Sequence, residues 1–279
     1  MVVSRSTVFR YLRALGLTYK KKTVVAAEAV NAVNLAKRRA YVDAMFAGAD
    51  LAAVGTVHEA AAQQHWHCPA AKSLYFLDES GFNFNVQRRR HARAPRGAKA
   101  VSFESYRKDR NHSLCIGVGH SGGIVASQVI AGAFNGASFE RFVAHKLAPA
   151  IVRDFARLRA AGEVDAGAVP TLVMDNASIH KGAGTAQALA RRGIALRFLA
   201  PYSPTMNPCE LVFARIKAGM RVTRATLRDQ LAGVRSVAAR AATLKRVVRE
   251  AAARHAGETE VIQRCYAACG YRVVVDEVE

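Results

Sequence analysis

The sequence predicts an α/β domain built on a mixed sheet flanked by helices, with helical N-terminal and C-terminal extensions. Three observations carry this expectation. Two short apolar runs that end in acids, Leu74–Leu77 before Asp78 and Thr171–Met174 before Asp175, have the length and texture of buried strands. Between them, Leu114–Val118 and Ile124–Ile130 surround the turn residues His120-Ser121-Gly122-Gly123 and predict a hairpin. From Phe139 onward, Phe142, Val143, Leu147, Ile151, Phe155 and Leu158 recur every three or four positions, the period of an amphipathic helix. A hairpin followed by alternating strands and helices is the pattern of a mixed sheet.

The remaining elements follow in order. Ser4-Arg5-Ser6-Thr7 supply hydroxyls for a helix start, Val8, Leu12 and Leu15 lie at helical spacing, and Gly16 ends the run, so Ser4–Leu15 predicts one short helix. Residues 24–64 are alanine-rich and predict helix, with a basic cluster at Lys37-Arg38-Arg39. Pro149 predicts a kink in the helix that begins at Phe139. Beyond Asp175 the pattern reads as a helix up to Gly193, a strand at Ala195–Leu199, a Pro/Ser/Asn loop at 201–208 and a further helix. The expected division is 1–22, a helical linker at 23–70, an α/β domain at 71–225 and a basic helical extension at 226–279.

Composition narrows the function. The 279 residues carry 41 Lys plus Arg against 21 Asp plus Glu, a net charge of +20, with 51% hydrophobic residues. That hydrophobic share excludes wholesale disorder, and the charge predicts attraction to polyanions such as nucleic acid. Five scattered cysteines imply no disulfide framework and fit a reducing compartment. Asn111–Phe139 lacks charged residues, but its glycines and turn exclude a spanning helix. Arg5, Arg10 and Arg13 stand where a signal peptide needs an apolar run, so no membrane partner and a cytoplasmic location are expected.

Acids are scarce, so their placement is informative. Asp78 and Asp175 each follow an apolar strand, and reactive crevices of open α/β sheets lie at such ends. Glu210 follows Asn207-Pro208-Cys209 at a helix start. Singly, such residues also serve as turn formers and caps. Together, three converging carboxylates would hold hard divalent cations such as Mg²⁺ or Mn²⁺. Two such ions about 3.5–4 Å apart activate a water and stabilise the leaving oxygen in phosphodiester cleavage. Glu79 adjoins Asp78, and strand neighbours point to opposite faces, which assigns the metal face to Asp78. Asn176, His180 and Asn207 are possible neighbours of the acids, and His180 serves equally well as a cap of the next helix. His65, His67 and Cys68 lack a fourth ligand at zinc-site spacing and read as a packing or surface segment.

Several segments carry a family resemblance. Phe76-Leu77-Asp78-Glu79-Ser80-Gly81-Phe82, Val173-Met174-Asp175-Asn176 with His180-Lys181, and Pro201-Tyr202-Ser203-Pro204 running to Asn207-Pro208-Cys209-Glu210 resemble the bacterial insertion-sequence transposases of the mariner-type DDE superfamily, insertion-sequence-630 branch. The spacing from Asp175 to Glu210, 210 − 175 = 35 positions, is also the family's. Ala94-Pro95-Arg96-Gly97 and Cys269-Gly270-Tyr271 add smaller matches. The resemblance implies an RNase H-like fold, with Asp78, Asp175 and Glu210 as catalytic metal ligands for two Mg²⁺ or Mn²⁺ ions. It also implies cleavage of double-stranded DNA at element ends, strand transfer into target DNA, and a homodimer. Thr205 replaces the acid usual after the Tyr-Ser-Pro, and Arg93 replaces a tryptophan before the Ala-Pro. Neither change touches a metal ligand.

Two one-sided basic runs complete the reading. Arg88, Arg89, Arg90, Arg93, Arg96, Lys99, Arg107, Lys108 and Arg110 face only Glu104 and Asp109. Between Arg215 and Arg254, 11 basic residues face Asp229 and Glu250. Both predict a track along DNA phosphates. The resemblance makes Ser4–Leu15 the recognition helix of a helix-turn-helix remnant over 1–22, with Arg5 and Arg10 toward DNA. Another RNase H-like nuclease or integrase, or an inactive DNA-binding remnant of a mobile element, are the alternatives.

Overall fold

A computed structural model describes residues 4–18, 26–56, 59–82, 94–99, 101, 111–222, 234 and 236–273. Its centre is a five-stranded sheet of β1 (Leu74–Phe82), β2 (His112–Gly119), β3 (Gly123–Ala131), β4 (Thr171–Met174) and β5 (Ala195–Phe198). The strand order is β3-β2-β1-β4-β5. The β1–β2 and β2–β3 pairs are antiparallel, and β1–β4 and β4–β5 are parallel. This is the mixed α/β sheet that the sequence predicts, and its arrangement is that of an RNase H-like domain.

Alternation along the strands builds two cores. Phe76 and Val173 point into a large core with Trp66, Phe213, Ile216, Val248, Tyr266 and Tyr271. Tyr75, Leu77, Leu172 and Met174 point into a second core with Phe139, Phe142, Leu147 and Ile151. Consecutive strand residues face opposite ways, so the same parity carries through the polar residues that follow. The larger core draws on residues from Tyr41 to Tyr271 and so takes in the helix that ends at Met45 and the C-terminal helices. The Tyr266 hydroxyl lies 3.0 Å from the carbonyls of both Leu74 and Val118, pinning the C-terminal helices to the sheet.

The helices are α1 (Arg5–Ala14), α2 (Ala32–Met45), α3 (Glu59–Ala62), α4 (Gly136–Phe142), α5 (Ala148–Ala160), α6 (Ala183–Ala190), α7 (Pro208–Val222), α8 (Val237–Arg254) and α9 (Thr259–Ala268). Three details differ from the sequence reading. β1 does not stop at Asp78 but runs to Phe82, because β2 pairs with it through His112. The described residues of the stretch 24–64 hold α2, α3 and short 3₁₀ turns. The run from Phe139 holds a π turn at Val143–Leu147 in place of a simple kink. Pro149 has no N–H for the His145 carbonyl and its ring crowds that turn, and the Ala148 N–H reaches back to the Val143 carbonyl instead. Gly117 makes room for the widened turn, since a β-carbon there would sit 2.2 Å from Leu147 Cδ1.

No described helix is long and apolar enough to cross a membrane. Helix α1 buries none of its residues, and Arg5 and Arg10 are exposed on it.

Candidate active site

Register brings the first two acids together. In the parallel β1–β4 pair, Leu77 stands opposite Met174, so Asp78 and Asp175 come next on adjacent strands. Asp78 shares the parity of Phe76, which puts it on the face covered by α7, while Asp175, one residue past β4, reaches His180. Glu210 lies in the first turn of α7 and is exposed to solvent.

Asn207 connects the two parts. Its side-chain carbonyl accepts the Cys209 N–H at 3.1 Å and so caps the start of α7. Its amide donates to Asp78 Oδ2 at 2.8 Å, and the Glu79 N–H donates to Asp78 Oδ1 at 2.7 Å. Burial and the nearby charges of Glu210, Glu79 and Asp175 nevertheless push Asp78 up to about 7 from the ordinary 3.8, against the bond from Glu79 N–H.

The opposite sheet face contributes a second group. Glu79 points away from Asp78, as strand alternation predicts, yet it rejoins the site through His180. That imidazole is buried within a 3₁₀ turn after β4, stacked against Phe139 at 4.6 Å. Its Nδ1 lies 2.7 Å from Asp175 Oδ1 and its Nε2 lies 3.0 Å from Glu79 Oε2. Burial opposes its charge, but bonds to Asp175 and Glu79 outweigh it and raise His180 to about 10. Asp175 is held below the usual carboxylate range, chiefly by the bond from His180. Asn176 turns elsewhere: its amide donates to the Leu199 carbonyl at 2.6 Å and ties the β4 exit to the end of β5.

A family profile described as DDE superfamily endonuclease matches residues 73–232, more than half of the chain. The chain belongs to the DDE superfamily of endonucleases. Similar solved structures include the Mos1 mariner paired end complex with Mn (TM-score 0.52, 16% identity, 96% of this chain and 71% of that one). The pre-cleavage Mos1 transpososome is similar too, with TM-score 0.51 and 17% identity over 98% of this chain and 72% of that one. At these identities the likeness is one of fold. A comparison with curated proteins finds no match.

The candidate site also contains groups that sequence reasoning did not assign to it. Glu79, set on the opposite face, is one. Lys217 is another: its ammonium donates to Ser80 Oγ at 2.6 Å and lies 5.5 Å from the Phe82 ring centroid. Ser80 has the parity of Asp78, and Lys217 falls two helical turns after Glu210 on one face of α7. The seven-residue spacing was the available signal. Of the basic residues expected at DNA, Arg96 and Lys99 lie exposed in the segment 94–99. Arg88, Arg89, Arg90 and Arg93 lie outside the described residues.

The donor chemistry suits a hard divalent cation, because Asp78, Asp175 and Glu210 offer carboxylate oxygens, and burial together with the neighbouring carboxylates raises Asp78. Among the described residues, no three His, Cys, Asp or Glu side chains stand close enough together to hold one ion. Glu210 is exposed and Asp175 half exposed.

The His180 shift makes a pH prediction for the metal-free chain. A folded-state value raised from 6.5 to about 10 adds stability that is fully present below 6.5 and is lost as pH rises toward 10. In a chelator, the Tm gap between the parental chain and His180→Ala should be widest below pH 6.5 and narrow on the way to pH 10. Calorimetry across that range checks it, and a gap independent of pH would refute a charged His180.

Proposed function

We propose that this chain is a transposase of the insertion-sequence-630 branch that cleaves double-stranded DNA at element ends and transfers the freed strand into target DNA. The observation that supports the reading is the register of β1 and β4, which brings the strand ends before Asp78 and Asp175 next to each other, with Glu210 in the first turn of α7. Asp78, Asp175 and Glu210 are the residues that would hold Mg²⁺ or Mn²⁺, two ions in all. Bound there, the metal would supply an activated water and positive charge for the leaving oxygen. Asn207 orients Asp78, while His180 orients Asp175 and neutralises Glu79 behind it.

The similar Mos1 complexes include one named as a transposon-end complex, which supports DNA as partner, and we extend that to a homodimer acting in the cytoplasm. The proposed division keeps 71–225 as the catalytic domain, 23–70 as linker, 226–279 as a basic extension and 1–22 as part of a helix-turn-helix. The decisive test is nicking of an end-containing duplex with Mg²⁺, Mn²⁺ or chelator. Cleavage is expected only with metal, and metal-independent or absent cleavage would refute the reading.

Duplex affinity should fall steeply with salt, because basic side chains that meet phosphates release counterions. Replacing Arg88, Arg89 and Arg90 together with Gln is expected to reduce the slope of log affinity against log salt by about 2.7. Titrations at several salt concentrations measure this. An unchanged slope would place these arginines away from DNA.

A further inference from the structure

The loop 201–207 delivers Asn207 to Asp78 and leads into Glu210, yet its own anchors lie outside the sheet. Arg38, on α2, belongs to the basic cluster Lys37-Arg38-Arg39, but its side chain is only 11% exposed. Its guanidinium turns inward, pairs with the buried carboxylate of Glu59, and reaches Thr205 Oγ1 at 3.2 Å and the Tyr202 carbonyl at 3.5 Å. Glu59 is held in turn by the Gly55 N–H. Gln63 adds a bond to the Thr205 carbonyl at 3.1 Å and one to the Cys269 carbonyl at 2.9 Å. Tyr271 donates to the Met206 carbonyl at 3.1 Å, and its hydroxyl meets that of Tyr41 at 2.8 Å.

These outside contacts have work to do. Tyr202 has a φ of 55°, the only positive φ at a non-glycine among the described residues. A tyrosine in the left-handed region is strained and persists where surrounding groups impose it. Arg38 bonds the carbonyl of that same residue and the hydroxyl three positions on.

We propose that Arg38 is a positioning residue for the acidic site: from α2 it holds the loop 201–207 in the conformation that brings Asn207 to Asp78 and starts α7 at Glu210. Arg38 touches neither acid, so it acts through the loop. Its effect on cleavage rests on the proposed function, whereas its hold on the loop does not.

Cys209 offers a readout independent of catalysis. It sits two residues after Asn207 and is fully buried. It should resist alkylation until the loop opens. Cys115, equally buried on β2, reports on opening of the sheet.

Arg38→Met alone would leave Glu59 buried and unpaired, so the double variant Arg38→Met/Glu59→Gln tests the idea without an orphaned charge. Thr205→Val removes a single contact, and Arg39→Ala removes one exposed charge from the same helix as a control. Iodoacetamide labelling of the native full chain, followed by peptide mass spectrometry, is expected to show Cys209 reacting about tenfold faster in the double variant. Cys115 should change by less than about twofold, Thr205→Val should give a smaller rise at Cys209, and Arg39→Ala none. Metal-dependent nicking at saturating duplex should fall about tenfold with duplex Kd within about twofold, and Arg38→Lys should recover part of the rate. Unchanged Cys209 labelling, or Cys115 rising in parallel, would overturn the proposal. A parental chain that does not cut DNA would sink the proposed function, while the labelling still decides the role of Arg38.

Discussion

Asp175→Ala should slow metal-dependent DNA cleavage by about a thousandfold or more, the loss expected when several kcal/mol of metal-borne transition-state stabilisation disappear. The reason lies in where Asp175 sits. It is the first residue past β4, the parallel neighbour of the strand that carries Asp78, and its side chain is half exposed. Losing it removes a carboxylate from the crevice without opening a cavity in either core. The folded state should therefore survive, with the far-ultraviolet spectrum and a cooperative thermal transition retained. Asp78→Ala should be equally inactive, but it also strands the Asn207 amide that now donates to Asp78 Oδ2 at 2.8 Å. Single-turnover nicking with Mn²⁺, read beside a melting curve, separates the two effects. A parental rate in Asp175→Ala would refute its assignment as a metal ligand.

His180→Ala should damage both stability and activity. The imidazole is 1% exposed and bridges Glu79 on one nitrogen and Asp175 on the other. Truncation leaves the largely buried Glu79 without its partner, beside Cys115 and on the strand that carries Asp78. Breaking a buried ion pair by removing one member costs about 3–5 kcal/mol. The lost stacking on Phe139 adds to that. The cost should be smaller in His180→Ala/Glu79→Gln, because the orphaned charge is gone. Cleavage should fall in both variants, since Asp175 loses the group that orients it. Equal melting of His180→Ala and the parental chain at pH 6 would show that the bridge contributes nothing.

The architecture was legible because its signals are local. Apolar runs of strand length at Leu74–Leu77 and Thr171–Met174, the glycine turn at His120–Gly123 and the helical period from Phe139 each lie within a few residues of themselves. The acids could be found for the same reason, since each follows such a run or opens a helix. Where local reading erred, a distant partner intervened: β1 runs past Asp78 because β2 pairs with it, and Pro149 widens the helix into a π turn that fits over Gly117.

The α/β class, the positive charge, the acids after two apolar runs and the helix start near Glu210 are legible because composition, period and capping are written in neighbouring residues. Which groups meet those acids follows from contacts across the fold. The Glu79–His180 contact spans 101 positions, the Asp78–Asn207 contact 129 and the Arg38–Thr205 contact 167. Periodicity places a residue on a face of its own element. The partner across the gap is set by strand register and by the packing of helices from both ends of the chain onto one core.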